Sequence, residues 1–436
     1  MIKKYLFQIL VFIAFLIRLI LMPISAHSDL LAINMFPDLI YTKQVTDILS
    51  YSKEHVHRQG FSYYPALTYF TIGAFQLPDH LISNTFSPWM TNLRGEYESG
   101  LIGQAPEFIK RSPNPMIFRD IFLAKFPYLL FDIGCIFILT KFIKNKYLSK
   151  WAVILWLFNP ILIYDSYIFG QFDLIPAFFV LLGFLLLRKN STLAILSIGI
   201  AAAYKNYALF FIPPLVIIHG DSWKERLKLL LISLAPTFIF ALPTIFNQPS
   251  EAPYAVINKV LVSSKKPLAG WAFYSQILRY ALLLASYFLV LSSSLTLKIK
   301  NKWILSIGLS YISLLLLLTL TTRTSFHYLF WLTPLTILWF RKIRTIIVVI
   351  GIQTLSFASY KTLASQLQMG LFAPINPDYF YSLPTINSLI DHIVPYRIIS
   401  TLGFLIFLIF NLYLILRVIY ELLFKLQVNY VKQDQK

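Results

Sequence analysis

Long apolar runs separated by short polar stretches extend along the whole chain, and their lengths predict membrane-spanning helices. A straight helix needs about 20 consecutive apolar residues to cross a bilayer. Several runs here are shorter than about 17 residues, so we expect the helices that they form to be tilted or broken. The predicted spans are 5–22, 120–140, 151–168, 173–187, 191–205, 207–219, 228–246, 274–297, 303–320, 327–340, 344–360 and 397–418.

This pattern predicts an all-α polytopic membrane protein with about 12 transmembrane helices, in a range of about 11 to 13. Hydrophobic residues make up 57% of the 436 positions and charged residues only 13%, which excludes a single soluble core. We find no convincing internal repeat, and we interpret 1–436 as one integral membrane domain.

The positive charges fall mainly on one side of the predicted membrane. Twenty-one of the 38 basic residues, with only four acids, lie at the two termini or in loops on that side. The positive-inside rule makes it the cytoplasm, so both termini are expected there, and a bacterial plasma membrane is the expected location. The net charge of +19 is then an orientation signal. Membrane lipids are expected around the chain, and a nucleic-acid partner is not.

The N-terminal segment 1–26 has two interpretations. Its basic start and Ala26 suit a cleaved signal peptide, whereas an apolar stretch of 18 residues favours an uncleaved anchor. Asp29 lies outside the cytoplasm in both. The lone Cys135 falls within a span, so an intramolecular disulfide is excluded, and no Cys/His cluster suits a structural metal.

Three long loops are predicted on the outer side, at 23–119, 247–273 and 361–396, whereas the inner loops are short. We therefore expect the chemistry outside. In the first loop, apolar residues at helical intervals over 38–51 predict an amphipathic interfacial helix. The apolar stretch 63–77 is interpreted as re-entrant or interfacial, because a crossing there would place every later basic loop outside.

Ionisable residues within spans are costly in a membrane and are candidates for function. Lys125 and Asp132, seven residues apart in the second span, lie on one helix face. A catalytic role, an ion pair between them and separate pairs with other helices all remain open.

Polar residues also interrupt the outer ends of later spans. Asn159-Pro160 breaks the third span, since proline removes a backbone donor. Gln171 and Asp173 follow at an outer turn, where they are suited to binding sugar hydroxyls. Asp173 is equally suited to capping the next helix.

Three cationic or ionisable residues, Lys205, Arg323 and His327, lie in comparable outer turns. Cations at this depth suit a phosphate anchored among the lipid headgroups. Ordinary snorkelling toward the interface explains Lys205 and Arg323 as well.

The first outer loop offers three carboxylates, Asp29, Asp38 and Asp47, as a general base, which must reach the attacking hydroxyl in its ionised form. Asp38 is explained as a helix N-cap after Pro37, and Asp47 as a surface charge. Asp29 follows the first span directly and has the fewest structural explanations, capping of a helix at 30–36 being one. We therefore predict Asp29 as the base.

These residues together resemble the GT-C superfamily of membrane glycosyltransferases, over nearly the whole chain. The first motif is similar to the loop of the GPI mannosyltransferases, and the others to motifs of bacterial members. They are Ser28-Asp29 with Asn34 to Asp38, Tyr63-Tyr64-Pro65-Ala66-Leu67, Lys125-Phe126-Pro127 with Asp132, Asn159-Pro160 with Gly170-Gln171-Phe172-Asp173, and His327-Tyr328 with Trp331 and Pro334.

The chain departs from these motifs at three positions. Phe169 replaces the usual Trp, Ala66 replaces a Pro, and Leu31 stands where the GPI enzymes have a second acid. With a single acid no cofactor is expected, a divalent metal being the alternative.

The resemblance implies an inverting enzyme that moves a hexose, with mannose the first candidate, from a polyprenyl-phosphate donor to a lipid- or glycan-linked acceptor at the outer face. Asp29 would be the base, and Lys205, Arg323 and His327 would stabilise the leaving phosphate. The alternatives are a transporter or flippase, or a ligase or polymerase, of lipid-linked glycans. The expected substrate-binding residues are Asp38, Tyr64, Gln171, Asp173, Lys205, Arg323 and His327.

Overall fold

Helices form all of the regular secondary structure in the described part of this computed structural model. The structure describes residues 2–56, 64–101, 104–142, 146–247, 271–297, 299, 301–321, 326–340, 342–360 and 370–425. No β-strand occurs in these ranges, and one isolated antiparallel bridge joins Ser25 to Leu371. The predicted all-α class is confirmed.

Seven helices in the described ranges are long and apolar enough to cross a membrane, and four shorter apolar helices accompany them. The chain is thus a helical protein suited to a membrane, whereas the predicted count of about 12 spans and the long outer loop stay predictions. The seven are Tyr5–Ile24, Ile117–Phe142, Ser149–Phe169, Trp223–Asn247, Tyr274–Thr296, Lys302–Leu320 and Tyr396–Phe424.

One long helix and five shorter ones precede the second candidate span. The predicted outer loop 247–273 lies almost entirely outside the described residues. The six helices are α1 (Ile2–Ile24), α2 (Ser28–Thr42), α3 (Ile48–His55), α4 (Ala66–Ile82), α5 (Phe86–Glu98) and α6 (Ala105–Arg111).

The central third of the chain combines long helices with short, broken ones. They are α7 (Ile117–Phe142), α8 (Lys146–Leu157), α9 (Pro160–Leu162) with a π-helical segment at Ile163–Phe169, α10 (Leu174–Leu186), α11 (Ser191–Tyr204), a 3₁₀ segment at Asn206–Phe211, α12 (Ile212–His219) and α13 (Trp223–Asn247).

The last third of the chain also combines long helices with short ones. It contains α14 (Trp271–Thr296), α15 (Lys302–Leu320), a 3₁₀ segment at Phe326–Trp331, α16 (Leu332–Trp339), α17 (Ile343–Tyr360), α18 (Pro377–Ser382), α19 (Ile386–Asp391), α20 (Tyr396–Tyr420) and a π-helical segment at Glu421–Lys425.

The prediction of one amphipathic helix over 38–51 is wrong. Helix α2 ends at Thr42, and Gln44 in the following break has a φ of +55°, a left-handed conformation that stops a helix. Asp38 therefore lies inside α2 and caps nothing. The next helix, α3, has Asp47 as its N-cap, and Asp47 Oδ1 accepts a hydrogen bond from the backbone N–H of Ser50 at 3.2 Å.

Asp47 is buried, so its interpretation as a surface charge is also wrong. Besides capping α3, its carboxylate accepts hydrogen bonds from Thr244 Oγ1 at 2.6 Å and from Asn247 Nδ2 at 3.1 Å. It thereby ties the start of α3 to the C-terminal end of α13.

The apolar stretch predicted at 63–77 forms α4, which packs against α2, α7, α11 and α13. Helix α4 is not among the helices that reach the length and hydropathy of a span. Its interfacial or re-entrant placement stays a prediction.

The buried charges of the second span form separate contacts with other helices. Arg18 of α1 pairs with Asp132, with Nε 2.6 Å from Oδ2. Trp156 Nε1 and Tyr167 Oη donate to the same carboxylate at 2.6 and 2.8 Å. Asp132 therefore joins α1, α7, α8 and the π-helical segment, and Lys125 is left to other partners.

Candidate active site

Asp29 lies in the first turn of α2, immediately after the bend that follows α1. The N-cap of α2 is His27, whose Nδ1 accepts a hydrogen bond from the backbone N–H of Asp29 at 3.1 Å. Because His27 provides the cap, the Asp29 carboxylate is available for other contacts. Its side chain is 38% exposed, which suits a group that must meet a substrate.

The buried side chain of Gln171 holds the Asp29 carboxylate in place. Gln171 Nε2 donates to Asp29 Oδ2 at 2.6 Å, and the Gln171 side chain is buried. The Tyr64 hydroxyl lies 3.1 Å from Gln171 Oε1 and 3.0 Å from its Nε2. The amide therefore connects the exposed acid to the protein interior.

Behind Gln171 lies a buried ion pair. Lys205 Nζ is 3.3 Å from Gln171 Oε1 and 2.7 Å from the carboxylate of Asp173. Trp331 Nε1 donates to Oδ1 of the same carboxylate at 2.8 Å. Each member of the pair thus has an oppositely charged partner and a further hydrogen bond, as buried charges require.

Aromatic rings surround the Lys205 ammonium. Its Nζ lies 4.7 Å from the ring centroid of Phe172, 5.4 Å from that of Tyr64 and 5.9 Å from that of Trp331. Such distances permit cation–π attraction, which strengthens when the cation is desolvated. The rings therefore hold the ammonium in place between Gln171 and Asp173.

The local sequence explains how Gln171 and Asp173 reach this position. Asn159 caps the short α9, which Pro160 begins, and the chain leaves the π-helical segment at Gly170 with a φ of +81°. A Cβ at Gly170 would lie 2.7 Å from Leu30 Cβ, so only glycine permits both the turn and the close contact with α2.

Asp173 occupies the N-cap position of α10, but its side chain makes no capping hydrogen bond there. The carboxylate turns instead to Lys205 and Trp331. The sequence left open whether Asp173 binds a sugar or caps a helix. Its backbone lies at the cap position, whereas its side chain forms an ion pair.

The ring of His27 lies next to the other carboxylate oxygen of Asp29, with Nδ1 3.6 Å from Oδ1. His27 stacks on Phe169 with centroids 3.7 Å apart, and Phe169 lies 5.4 Å from the ring of His327. Burial lowers the pKa of His27, although attraction by Asp29 raises it in part and Lys125 lowers it further. A neutral imidazole is consistent with an Nδ1 that accepts a hydrogen bond from Asp29 N–H.

Burial, with repulsion from the Asp29 charge, raises the pKa of Tyr64 well above its usual value. Its phenol is therefore protonated at neutral pH and available as a donor. Together, Tyr64, Gln171 and His27 present neutral groups to the Asp29 carboxylate.

Six predicted site residues, Asp29, Tyr64, Gln171, Asp173, Lys205 and His327, form this continuous group of contacts. Asp38 belongs to a different polar cluster. Its buried carboxylate accepts from Ser87 Oγ at 2.8 Å and lies 3.7 Å from Arg94 NH1. Burial raises the pKa of Asp38 to about 6. Arg323 lies outside the described residues.

Sequence reasoning missed two buried ionisable residues, Arg18 and Asp165. Asp165, in the π-helical segment, accepts from Ser166 Oγ at 2.9 Å, while its Oδ1 is buried without a hydrogen-bond partner. Both could have been found, because each is an ionisable residue within a predicted span. Trp331, noted only as part of a motif, also contributes directly to the ion pair.

A metal ion beside Asp29 would need a group of carboxylate, imidazole or thiolate ligands. Within the described ranges, no group of three or more His, Cys, Asp or Glu residues is arranged to hold a metal ion. The contacts of the Asp29 carboxylate in these ranges are with the Gln171 amide and the His27 imidazole. The chemistry open to Asp29 with these neighbours is that of a single oriented carboxylate, accepting a proton from a hydroxyl.

A comparison with family models finds a match in the central part of the chain. Residues 122–254 match glycosyltransferase family 87, a GT-C type family of membrane glycosyltransferases. The resemblance to GT-C enzymes is therefore confirmed for this part of the chain, and the match indicates a membrane glycosyltransferase. The matched range includes Gln171, Asp173 and Lys205, whereas Asp29, Tyr64 and His327 lie outside it. Neither the comparison with curated proteins nor that with solved structures finds a match.

Proposed function

We propose that this membrane glycosyltransferase transfers a hexose, with mannose the first candidate, from a polyprenyl-phosphate donor to a lipid- or glycan-linked acceptor at the outer face of the membrane. One observation carries the proposal. The partly exposed carboxylate of Asp29, next to the end of α1, is oriented by the buried Gln171. A lipid-anchored donor would present its reactive carbon among the headgroups, close to the end of a span such as α1.

In the proposed reaction Asp29 is the general base. Its Oδ2 accepts from Gln171, whereas Oδ1 lies 3.6 Å from His27 Nδ1, beyond hydrogen-bond distance. Oδ1 is therefore the atom that would accept the proton of the acceptor hydroxyl. The acceptor oxygen forms a bond to the anomeric carbon as the bond from that carbon to the phosphate oxygen breaks. The bonding electrons leave on the phosphate, and the configuration inverts.

Cations would stabilise the charge that develops on the leaving phosphate. Lys205 is buried and already paired with Asp173, so we assign it first to holding Gln171. Arg323 is the proposed cationic contact, and the buried His327, whose ring borders Phe169, would contact the phosphate through a ring N–H. Since a phosphate leaves without needing a proton, one carboxylate is sufficient, unlike the two carboxylates of glycoside hydrolases.

A donor screen tests the proposal. Membranes containing the protein are incubated with polyprenyl-phosphate mannose, glucose or an aminosugar, each labelled in the sugar, and in parallel with the matching nucleotide sugars. We expect transfer to a lipid or glycan fraction from a polyprenyl-phosphate donor, and none from nucleotide sugars when polyprenyl-phosphate is absent. Transfer from a nucleotide sugar alone would contradict the proposed donor.

A further inference from the structure

Two chain segments that are distant in sequence lie side by side at the candidate site, with a constant offset. Ser25 Oγ donates to the carbonyl oxygen of Tyr167 at 2.8 Å. The ring of His27 stacks on that of Phe169. Two residues further along each segment, Gln171 donates to Asp29. The pairs 25/167, 27/169 and 29/171 thus share one register, which ends at the proposed base.

Lys125, which lies in α7, contacts both segments at the start of this register. Its buried Nζ donates to the Ser25 carbonyl oxygen at 2.6 Å, to Ser25 Oγ at 2.8 Å and to the Tyr167 carbonyl oxygen at 2.8 Å. An ammonium group has three N–H donors, and three oxygens receive them. Both Ser25 and Tyr167 lie four residues before the members of the Asp29–Gln171 pair.

Ion pairing does not explain the position of Lys125, because its three hydrogen-bond acceptors are two backbone carbonyls and a hydroxyl. The nearby acid on α7, Asp132, pairs with Arg18 instead. A buried ammonium is costly unless its donors are satisfied. Its stabilising contacts here depend on both segments being present in the observed register.

From this geometry we propose that Lys125 is a positioning residue for the transfer reaction: its ammonium sets the register between the segment that carries Asp29 and the segment that carries Gln171. The proposal rests on the proposed function of Asp29 as base. Without the ammonium, the two segments can shift relative to each other, and the contact between Gln171 and Asp29 is lost. A displacement of about 1 Å at reacting groups can reduce the rate about 10²-fold.

Crosslinking tests the register without reference to activity. In a Cys135→Ala background, which removes the native thiol, His27→Cys and Phe169→Cys are introduced, and the rate of linkage by a short bifunctional thiol reagent is measured in membranes. Adding Lys125→Met should slow the linkage markedly. Adding Lys141→Met, which removes an exposed lysine at the other end of α7, should leave it unchanged. Equal rates with and without Lys125 would overturn the proposal.

Steady-state kinetics, in the chain with its native residues 27 and 169, separate positioning from binding. Lys125→Met should lower kcat about 10²-fold with little change in KM for the polyprenyl-phosphate donor. Lys125→Arg should recover part of the loss, because it keeps the charge but presents a planar fork to three oxygens. A raised KM with normal kcat would contradict a positioning role.

Ser25→Ala provides a milder variant if Lys125→Met fails to accumulate. It removes one of the three acceptors and leaves both carbonyls, so kcat and linkage rate should fall in the same direction by a smaller factor. No change in either would overturn the proposal. The two hypotheses fail separately: absence of transfer in the wild type contradicts the proposed function, whereas unchanged linkage in Lys125→Met contradicts only the positioning role.

Discussion

Gln171 Nε2 lies 2.6 Å from Asp29 Oδ2, although 142 positions separate the two residues in the chain. This hydrogen bond joins the exposed start of α2 to the buried turn between the π-helical segment and α10. The buried Gln171 amide thereby orients the Asp29 carboxylate, which itself remains partly exposed. Such orientation of a base by fixed neighbours is the arrangement that general-base chemistry needs.

Asp29→Asn should abolish most sugar transfer, because the amide keeps the shape of the side chain but cannot accept a proton from the acceptor hydroxyl. General-base catalysis contributes about 10²- to 10⁴-fold, so we expect kcat to fall by that order. Transfer is measured in membranes at matched protein abundance. Asp378→Asn, the same change at a carboxylate 68% exposed, is the control. Full activity in Asp29→Asn would exclude it as the base.

Gln171→Leu should lower kcat without removing the base itself. The substitution removes the donor to Asp29 and an acceptor of Lys205, so Asp29 loses its orientation, and we expect destabilisation of about 1–3 kcal/mol. Gln353→Leu is the matched control, since Gln353 is also buried and donates to Asn411 at 3.0 Å in a distant pair of helices. Both variants should lower the melting temperature, and only the first should lower kcat. An equal kcat in the two would contradict the orienting role.

Gly170→Ala should destabilise the site. An alanine would need a left-handed backbone, at a cost of roughly 1–2 kcal/mol, and its Cβ would contact Leu30 Cβ at 2.7 Å. Thermal unfolding in detergent should therefore occur at a lower temperature, with reduced activity in the folded fraction. Gly351→Ala in α17, where no atom lies within 4 Å of an added Cβ, should be tolerated. Similar behaviour of the two variants would argue against a special role for the turn.

The stability of the protein should vary with pH because of Asp79 in α4. The two carboxylate oxygens of Asp79 are buried without hydrogen-bond partners. Burial, with repulsion from Asp120, raises the pKa of Asp79 to about 7 from the ordinary 3.8, although Arg119 lowers it in part. The folded protein therefore keeps a proton that the unfolded chain releases above pH about 4. The free energy of unfolding should thus fall as pH rises from about 4 to 7.

The amide in Asp79→Asn cannot ionise, so the free energy of unfolding of this variant should lack the part of the fall with pH that Asp79 causes. Relative to the wild type, its free energy of unfolding should increase between pH about 4 and about 8. Denaturation in detergent across this range provides the measurement, with Asp378→Asn as a control that follows the wild type. A constant difference between Asp79→Asn and wild type at all pH values would show that the buried carboxyl is not the group that titrates.

Much of the helical arrangement was predictable because it is encoded locally. Each predicted span falls on one helix or on consecutive shorter helical segments, and the break at Asn159-Pro160 occurs where proline removes a backbone donor. The ends of helices at Lys205 and before Asp173 were also visible as polar residues between apolar runs. The course of the chain over 38–51 was not predictable, since the helical spacing of apolar residues there does not reveal the left-handed break at Gln44.

The candidate site was predictable in its members and not in their connections. The apolar pattern placed Asp29, Gln171, Asp173 and Lys205 at the ends of spans, because burial of backbone in lipid requires helices and leaves polar residues at their breaks. The resemblance also assigned Asp38 to the same site, and the pattern left open whether Lys125 and Asp132 pair with each other or with other helices. Only the tertiary structure separated Asp38 from Asp29, paired Asp132 with Arg18 and brought Lys125 to Ser25 and Tyr167. Hydropathy depends on residues near one another in sequence, whereas these contacts depend on how distant helices pack.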